Sequence, residues 1–152
     1  MAPSESSLFC SPTGSNNVRG SDLFGRGHFG APRGVRLHKG VDFNIEANSH
    51  VYSPVFGKVV RIAAPYKSDD RFKGLVIEGL GRYEGYQIKL FYVDPRKKIV
   101  GRTVKQGETI GTAQDLTIKY PSITNHVHFE ITLNGEQIDP SRFLQEEALC
   151  KN

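Results

Sequence analysis

The chain of 152 residues has no tryptophan, one methionine and two cysteines. Cys10 and Cys150 stand near opposite ends and lack the short spacing of a cysteine metal site. They read as two free thiols in a reducing compartment, or as one bridge closing nearly the whole chain in an oxidising one. No run approaches the ~20 apolar residues that a bilayer requires, so no membrane span is expected. The opening Met1-Ala2-Pro3-Ser4-Glu5-Ser6 has neither a charged start nor an apolar stretch. No secretory signal is legible there, which favours an intracellular protein, with an extracellular one as the alternative if the chain is processed. Charge of one sign is scarce too: 20 basic against 16 acidic residues leave +4. Arg96-Lys97-Lys98 and the stretch from Arg33 to Lys39 lack interleaved aromatic platforms. They read as solvated loops, so no nucleic-acid partner is expected.

What is present points to β structure. Sixteen glycines and a hydrophobic share of 38% accompany short runs of Val, Ile, Thr, Tyr and Phe, a turn-rich pattern unlike a helix bundle. Residues 1–21, rich in Ser, Pro, Gly and Asn, describe a flexible tail. Residues 22–152 fit a single domain. Strands are expected at 41–45, 58–62, 74–78 and 87–93, with an edge segment at 51–54 where Pro54 is tolerable. Residues 104–110 read as a hairpin around Gln106-Gly107-Glu108. Asn134-Gly135 is a second, stronger hairpin signal. One short helix is expected within 140–149. The sum is an all-β fold, an antiparallel sheet or sandwich with long loops and at most one short C-terminal helix.

The chemistry gathers in two stretches. In Asn125-His126-Val127-His128-Phe129-Glu130 the histidines are two apart among β-favouring neighbours. On a strand both imidazoles then leave the same face, with Val127 packing behind them. His38-Lys39-Gly40-Val41-Asp42 adds another nitrogen and a carboxylate. Imidazoles with one carboxylate suit zinc, which binds nitrogen and oxygen tetrahedrally and, when catalytic, leaves one position to water. The plain alternative is a set of unrelated surface histidines. His28 reads as a loop imidazole or as a group folding across the cleft, and His50 as a solvated turn residue. Glu130 is suited either to orient an imidazole from behind or to pair across strands with Lys or Arg.

These motifs, in this order, resemble the LytM/lysostaphin-type zinc metallopeptidases. The likeness spans about residues 22–144 and includes Val51 to Val60, Val104 to Gly111 and Asp139-Pro140. Within that family it resembles the animal, leukocyte cell-derived chemotaxin-2 branch through Pro65-Tyr66, Lys89 to Pro95 and Lys119-Tyr120-Pro121. Members of that branch are usually secreted and disulfide-bonded. The resemblance implies that His38, Asp42 and His128 hold Zn2+ and that His126 sits beside the metal without ligating it. It also implies a second catalytic imidazole on the central strand, in a register that reads Tyr92-Val93-Asp94 here. That histidine is missing. A carboxylate at Asp94 stays ionised beside a cation and cannot donate to an oxyanion, and losing one such donor costs ~10²–10³ in rate.

The expected function is therefore a zinc-binding, catalytically inactive peptidase-like domain, a binding module holding a protein or glycan partner in the former substrate groove. Two alternatives stand beside it. One is an active zinc endopeptidase on Gly-rich or peptidoglycan peptides. The other is an intracellular structural component of a larger cytoskeletal or ciliary assembly.

Overall fold

In the computed structural model, which describes residues 9–14, 32–33, 36–37 and 40–138, the alternating runs become short strands. They are β1 (Pro32–Arg33), β2 (Arg36–Leu37), β3 (Val41–Asn44), β4 (His50–Tyr52), β5 (Gly57–Ala63), β6 (Gly74–Gly79), β7 (Tyr86–Phe91), β8 (Val93–Pro95), β9 (Thr103–Val104), β10 (Thr109–Ala113), β11 (His126–Leu133) and β12 (Glu136–Ile138). Every pairing is antiparallel. Among the described residues there is no α-helix, only the 3₁₀ turns Gly81–Tyr83 and Leu116–Ile118. The helix expected within 140–149, and Asp139-Pro140, lie outside the described residues. No helix among the described residues is long and apolar enough to cross a membrane.

A large sheet runs β12-β11-β7-β6-β5-β9, and a small one runs β4-β10-β8. β11 is the hub of the large sheet. One of its edges pairs with β7 along His128–Leu133, while the other pairs with β3 along His126–Phe129 and with β12 along Ile131–Leu133. Pleating sends Val127, Phe129 and Ile131 to one face, where each is fully buried. They pack with Val41 and Phe43 of β3, Leu90 of β7, Leu75 and Ile77 of β6, and Val51, Ile110 and Val93 of the small sheet. The core thus lies between the two sheets. By the same alternation His126, His128 and Glu130 occupy the outer face of the large one.

Two turns show how local chemistry sets this up. Asn134 and Gly135 take φ of 50° and 87°, the left-handed pair that a tight hairpin demands, and join β11 to β12 as expected. At Gly40 a Cβ would collide with the Phe129 carbonyl, so only glycine lets the chain enter β3 this close to β11.

Three expectations need correction. The run 87–93 is not one strand: Tyr92, at φ 70°, ends β7 and turns the chain into β8 on the other sheet. Its backbone is held there because the amides of Tyr92 and Val93 both donate to the Lys73 carbonyl, at 2.8 and 3.0 Å. Residues 104–110 do not form a hairpin, since β9 pairs with β5 while β10 pairs with β4 and β8. Residues 1–21 are not all tail. Phe9 is a fully buried member of the core, packed edge-on against Tyr86 with ring centres 5.2 Å apart. Next to it the Cys10 amide donates to the Pro54 carbonyl, and Pro12 accepts from the Tyr52 amide. A single large aromatic group, sufficient to anchor a short segment, is easily lost in a Ser-rich composition.

Candidate metal and ligand site

The outer face of the large sheet brings two of the sequence's candidate residues into direct contact. His128 stands opposite Asp42 in the β3–β11 register, with Nδ1 2.8 Å from Asp42 Oδ1. Its Nε2 lies 2.8 Å from Glu130 Oε2. Carboxylates have no hydrogen to give, so in this arrangement both ring nitrogens donate and the ring is an imidazolium. Burial by itself would lower its pKa, but the bonds to Asp42 and Glu130 outweigh that and push it up to about 9. Burial raises Glu130 and the His128 bond lowers it, with the net result below the usual carboxylate value. Phe91, the β7 neighbour of His128, stacks on the ring with centroids 5.5 Å apart.

His126 is buried beside this pair. Its Nδ1 is 2.8 Å from the Thr124 carbonyl, an oxygen that only accepts, so Nδ1 carries the hydrogen. In the neutral ring that leaves the Nε2 lone pair facing Asp42, with Oδ2 3.5 Å away. Tyr92 meets this ring edge-on at 5.5 Å. The Tyr92 hydroxyl lies 3.1 Å from that of Tyr66, which lies 2.9 Å from that of Tyr120. Burial first, then those two bonds, hold the Tyr66 hydroxyl protonated far above the usual tyrosine range.

The remaining candidates are placed differently. Asp94 belongs to β8, opposite Thr112 in the small sheet, and is exposed. Among the described residues its carboxylate makes no hydrogen bond or ion pair with either histidine; it lines a hollow with Arg71 and Asp115. His50 is exposed on β4. His38 and His28 lie outside the described residues. Of the two readings of Glu130, the structure makes the bond to His128 and also sets Lys89 opposite it across the strands.

Four participants escaped the sequence reading. Asn44 faces His126 across the β3–β11 register, two residues beyond Asp42 and so on the same face. Its Oδ1 is buried and, among the described residues, accepts no hydrogen bond. The i, i+2 rule that joined the histidines would have found it. Phe91 needed knowledge of the register. Tyr66 and Tyr120 stood out only as marks of a family branch, because nothing local announces that residues 54 apart share a hydroxyl contact.

Among the described residues no group of three or more His, Cys, Asp and Glu side chains is arranged to hold a metal. The two that are placed do fit zinc chemically: Asp42 offers oxygen and His128 nitrogen at one point, and Glu130 backs the far side of the ring as carboxylates do behind metal-bound histidines.

Cys10 is disulfide-bonded, against the free-thiol expectation; Cys150, the chain's other cysteine, lies outside the described residues.

The family profile described as peptidase family M23 matches residues 36–140. Bovine leukocyte cell-derived chemotaxin-2 is 36% identical over 138 residues, covering 90% of this chain and 85% of that protein. The solved structure of LytU superposes with a TM-score of 0.60 at 26% identity, covering 80% of this chain and 83% of that one. A zinc-containing peptidase from Vibrio cholerae shares the fold, with a TM-score of 0.56 at 23% identity, over 88% of this chain and 40% of its own.

Proposed function

The chain belongs to peptidase family M23, and from that premise we propose that it is a zinc-holding, catalytically silent member whose former substrate face binds a protein or glycan partner. Zinc would be held by Asp42 and His128, with His38 as the third ligand that the family motif supplies. When bound, the metal supplies Lewis-acid polarisation and a bound water of lowered pKa. Glu130 orients the His128 ring, Thr124 fixes the tautomer of His126, and His126 Nε2 is directed toward Asp42 beside the proposed metal position.

The observation that carries the reading is the group beside His126. Peptide hydrolysis needs a second donor for the oxyanion and leaving amine. There the chain has Tyr92, whose hydroxyl is engaged with Tyr66, and the turn at Tyr92 passes Asp94 to the small sheet. The orphaned Asn44 Oδ1 supports a ligand-binding role. A buried acceptor without a partner costs about 1–3 kcal/mol, which an N–H from a bound peptide or acetamido group would recover. The disulfide at Cys10 favours an oxidising compartment over the intracellular one.

The test is elemental analysis together with hydrolysis of pentaglycine and peptidoglycan. One zinc per chain, lost in His128→Ala, with no cleavage above a metal-stripped control, is the expected result. Chelator-sensitive cleavage that disappears in His126→Ala would establish an active endopeptidase in its place.

A further inference from the structure

Four residues along β11 from His128, about 13 Å on the same face, the large sheet carries a second feature. Lys58, Glu78, Gln87 and Thr132 stand side by side in one row across β5, β6, β7 and β11. They floor a cavity of about 520 Å³, well inside the usual size of small-molecule sites. Its walls are the β6–β7 connection, with Gly81, Glu84 and Gly85, and the β11–β12 turn at Gly135. The two walls are fastened together where the Asn134 amide donates to the Gly85 carbonyl at 2.9 Å.

The chemistry of the lining is specific. Among the described residues the side chains of Lys58, Glu78, Glu84, Gln87 and Thr132 take no hydrogen-bond or ion-pair partner. The lining, row and wall together, therefore offers an ammonium donor, two carboxylate acceptors, and an amide and a hydroxyl that do both. Just outside the lining, Phe56, 40% exposed, neighbours Gly81, where a Cβ would sit 3.7 Å from the ring.

We propose that this cavity is a second ligand site, independent of the metal, that binds a neutral saccharide unit. A sugar ring presents hydroxyls that each donate and accept, matching a lining of mixed sign, and an apolar C–H face that suits Phe56. Two carboxylates against one ammonium disfavour an anion, and the polar floor disfavours a hydrophobe.

The experiment titrates the full, zinc-loaded chain with maltotriose, cellotriose and chitotriose while following backbone amides by NMR. Saturable shifts at Gly79, Gly81, Gly85 and Gly135 with at least one of them are expected. Phe56→Ser and Gln87→Ala should each weaken that binding about fivefold, the effect of losing one modest contact. Both are surface changes whose folding the same spectra verify. Chelating the metal should leave the affinity unchanged, so a failure at the zinc site and a failure here are told apart. Absence of shifts with all three sugars overturns the proposal. So does saturation of the same amides by an oligolysine peptide alone, which would make the cavity a cation site. Equal affinity in both variants overturns it as well.

Discussion

The two sheets are built from the same kind of strand, yet they divide the work unequally. In the large sheet β11 uses both of its faces: Val127, Phe129 and Ile131 fill the core, while His126, His128 and Glu130 line the candidate site. The small sheet gives its apolar side to the same core through Val51, Val93 and Ile110, and its polar groups tie down its own turns. A strand becomes functional, on this comparison, when its second face is buried and charged as well. The residue that separates the two roles is Tyr92, whose positive φ passes the chain from one sheet to the other.

The largest effect that would test this division lies on the inner face of β11. Phe129 is fully buried and packs against Phe43 with ring centres 6.0 Å apart. Phe129→Ala should cost about 3–5 kcal/mol in denaturant unfolding. A loss below about 1 kcal/mol would mean that the core does not run through β11. The outer face should respond in metal affinity instead. Glu130→Gln removes the charge behind His128, and zinc should bind about 10–100-fold more weakly in a competition titration. Unchanged zinc affinity would reduce Glu130 to a cross-strand partner of Lys89.

Tyr92→Phe is the next smaller change and tests the boundary itself. It keeps the ring against His126 and removes the hydroxyl that meets Tyr66. About 0.5–1.5 kcal/mol of stability should be lost, with zinc content unaffected. If zinc left as well, the tyrosine hydroxyls would belong to the metal site and not to its wall.

The sequence was legible wherever periodicity and chemistry coincide. Strict alternation around His126 and His128 placed them on one face, and Asn134-Gly135 announced its own turn. The link of Asp42 to His128 followed from motif order, and the β3–β11 register supplied the physical reason. What stayed hidden depends on non-local geometry. A non-glycine residue at positive φ leaves no mark in composition, so 87–93 read as one strand. The partners of β9 and β10 are set by which sheet each meets, which a plausible hairpin turn between them concealed. Phe9 was masked by the Ser-, Pro- and Gly-rich composition of the segment around it.

The smallest effect belongs to the small sheet and fixes the lower end of the comparison. Glu108 sits in the turn before β10, where Oε1 accepts from the Lys105 amide at 3.0 Å and Oε2 from Arg96 Nη2, also at 3.0 Å. The amide bond first, and the Arg96 guanidinium after it, keep this carboxyl below its ordinary 4.5. A carboxyl so depressed contributes stability above its unfolded pKa and loses it as pH falls through the lower, folded value. The pair is largely solvent-facing, with side-chain exposures of 36% for Arg96 and 31% for Glu108. Screening therefore holds its worth to about 1 kcal/mol or less. Glu108→Gln should lower stability by that amount at pH 7, and the difference from the parent should vanish as pH drops below 4.5 and through the depressed pKa. Added salt should shrink it too, while zinc content stays as it was. A difference that persisted at acid pH would show that the turn geometry, and not the charge, is what Glu108 secures. A change in zinc would show that the small sheet reaches the site after all.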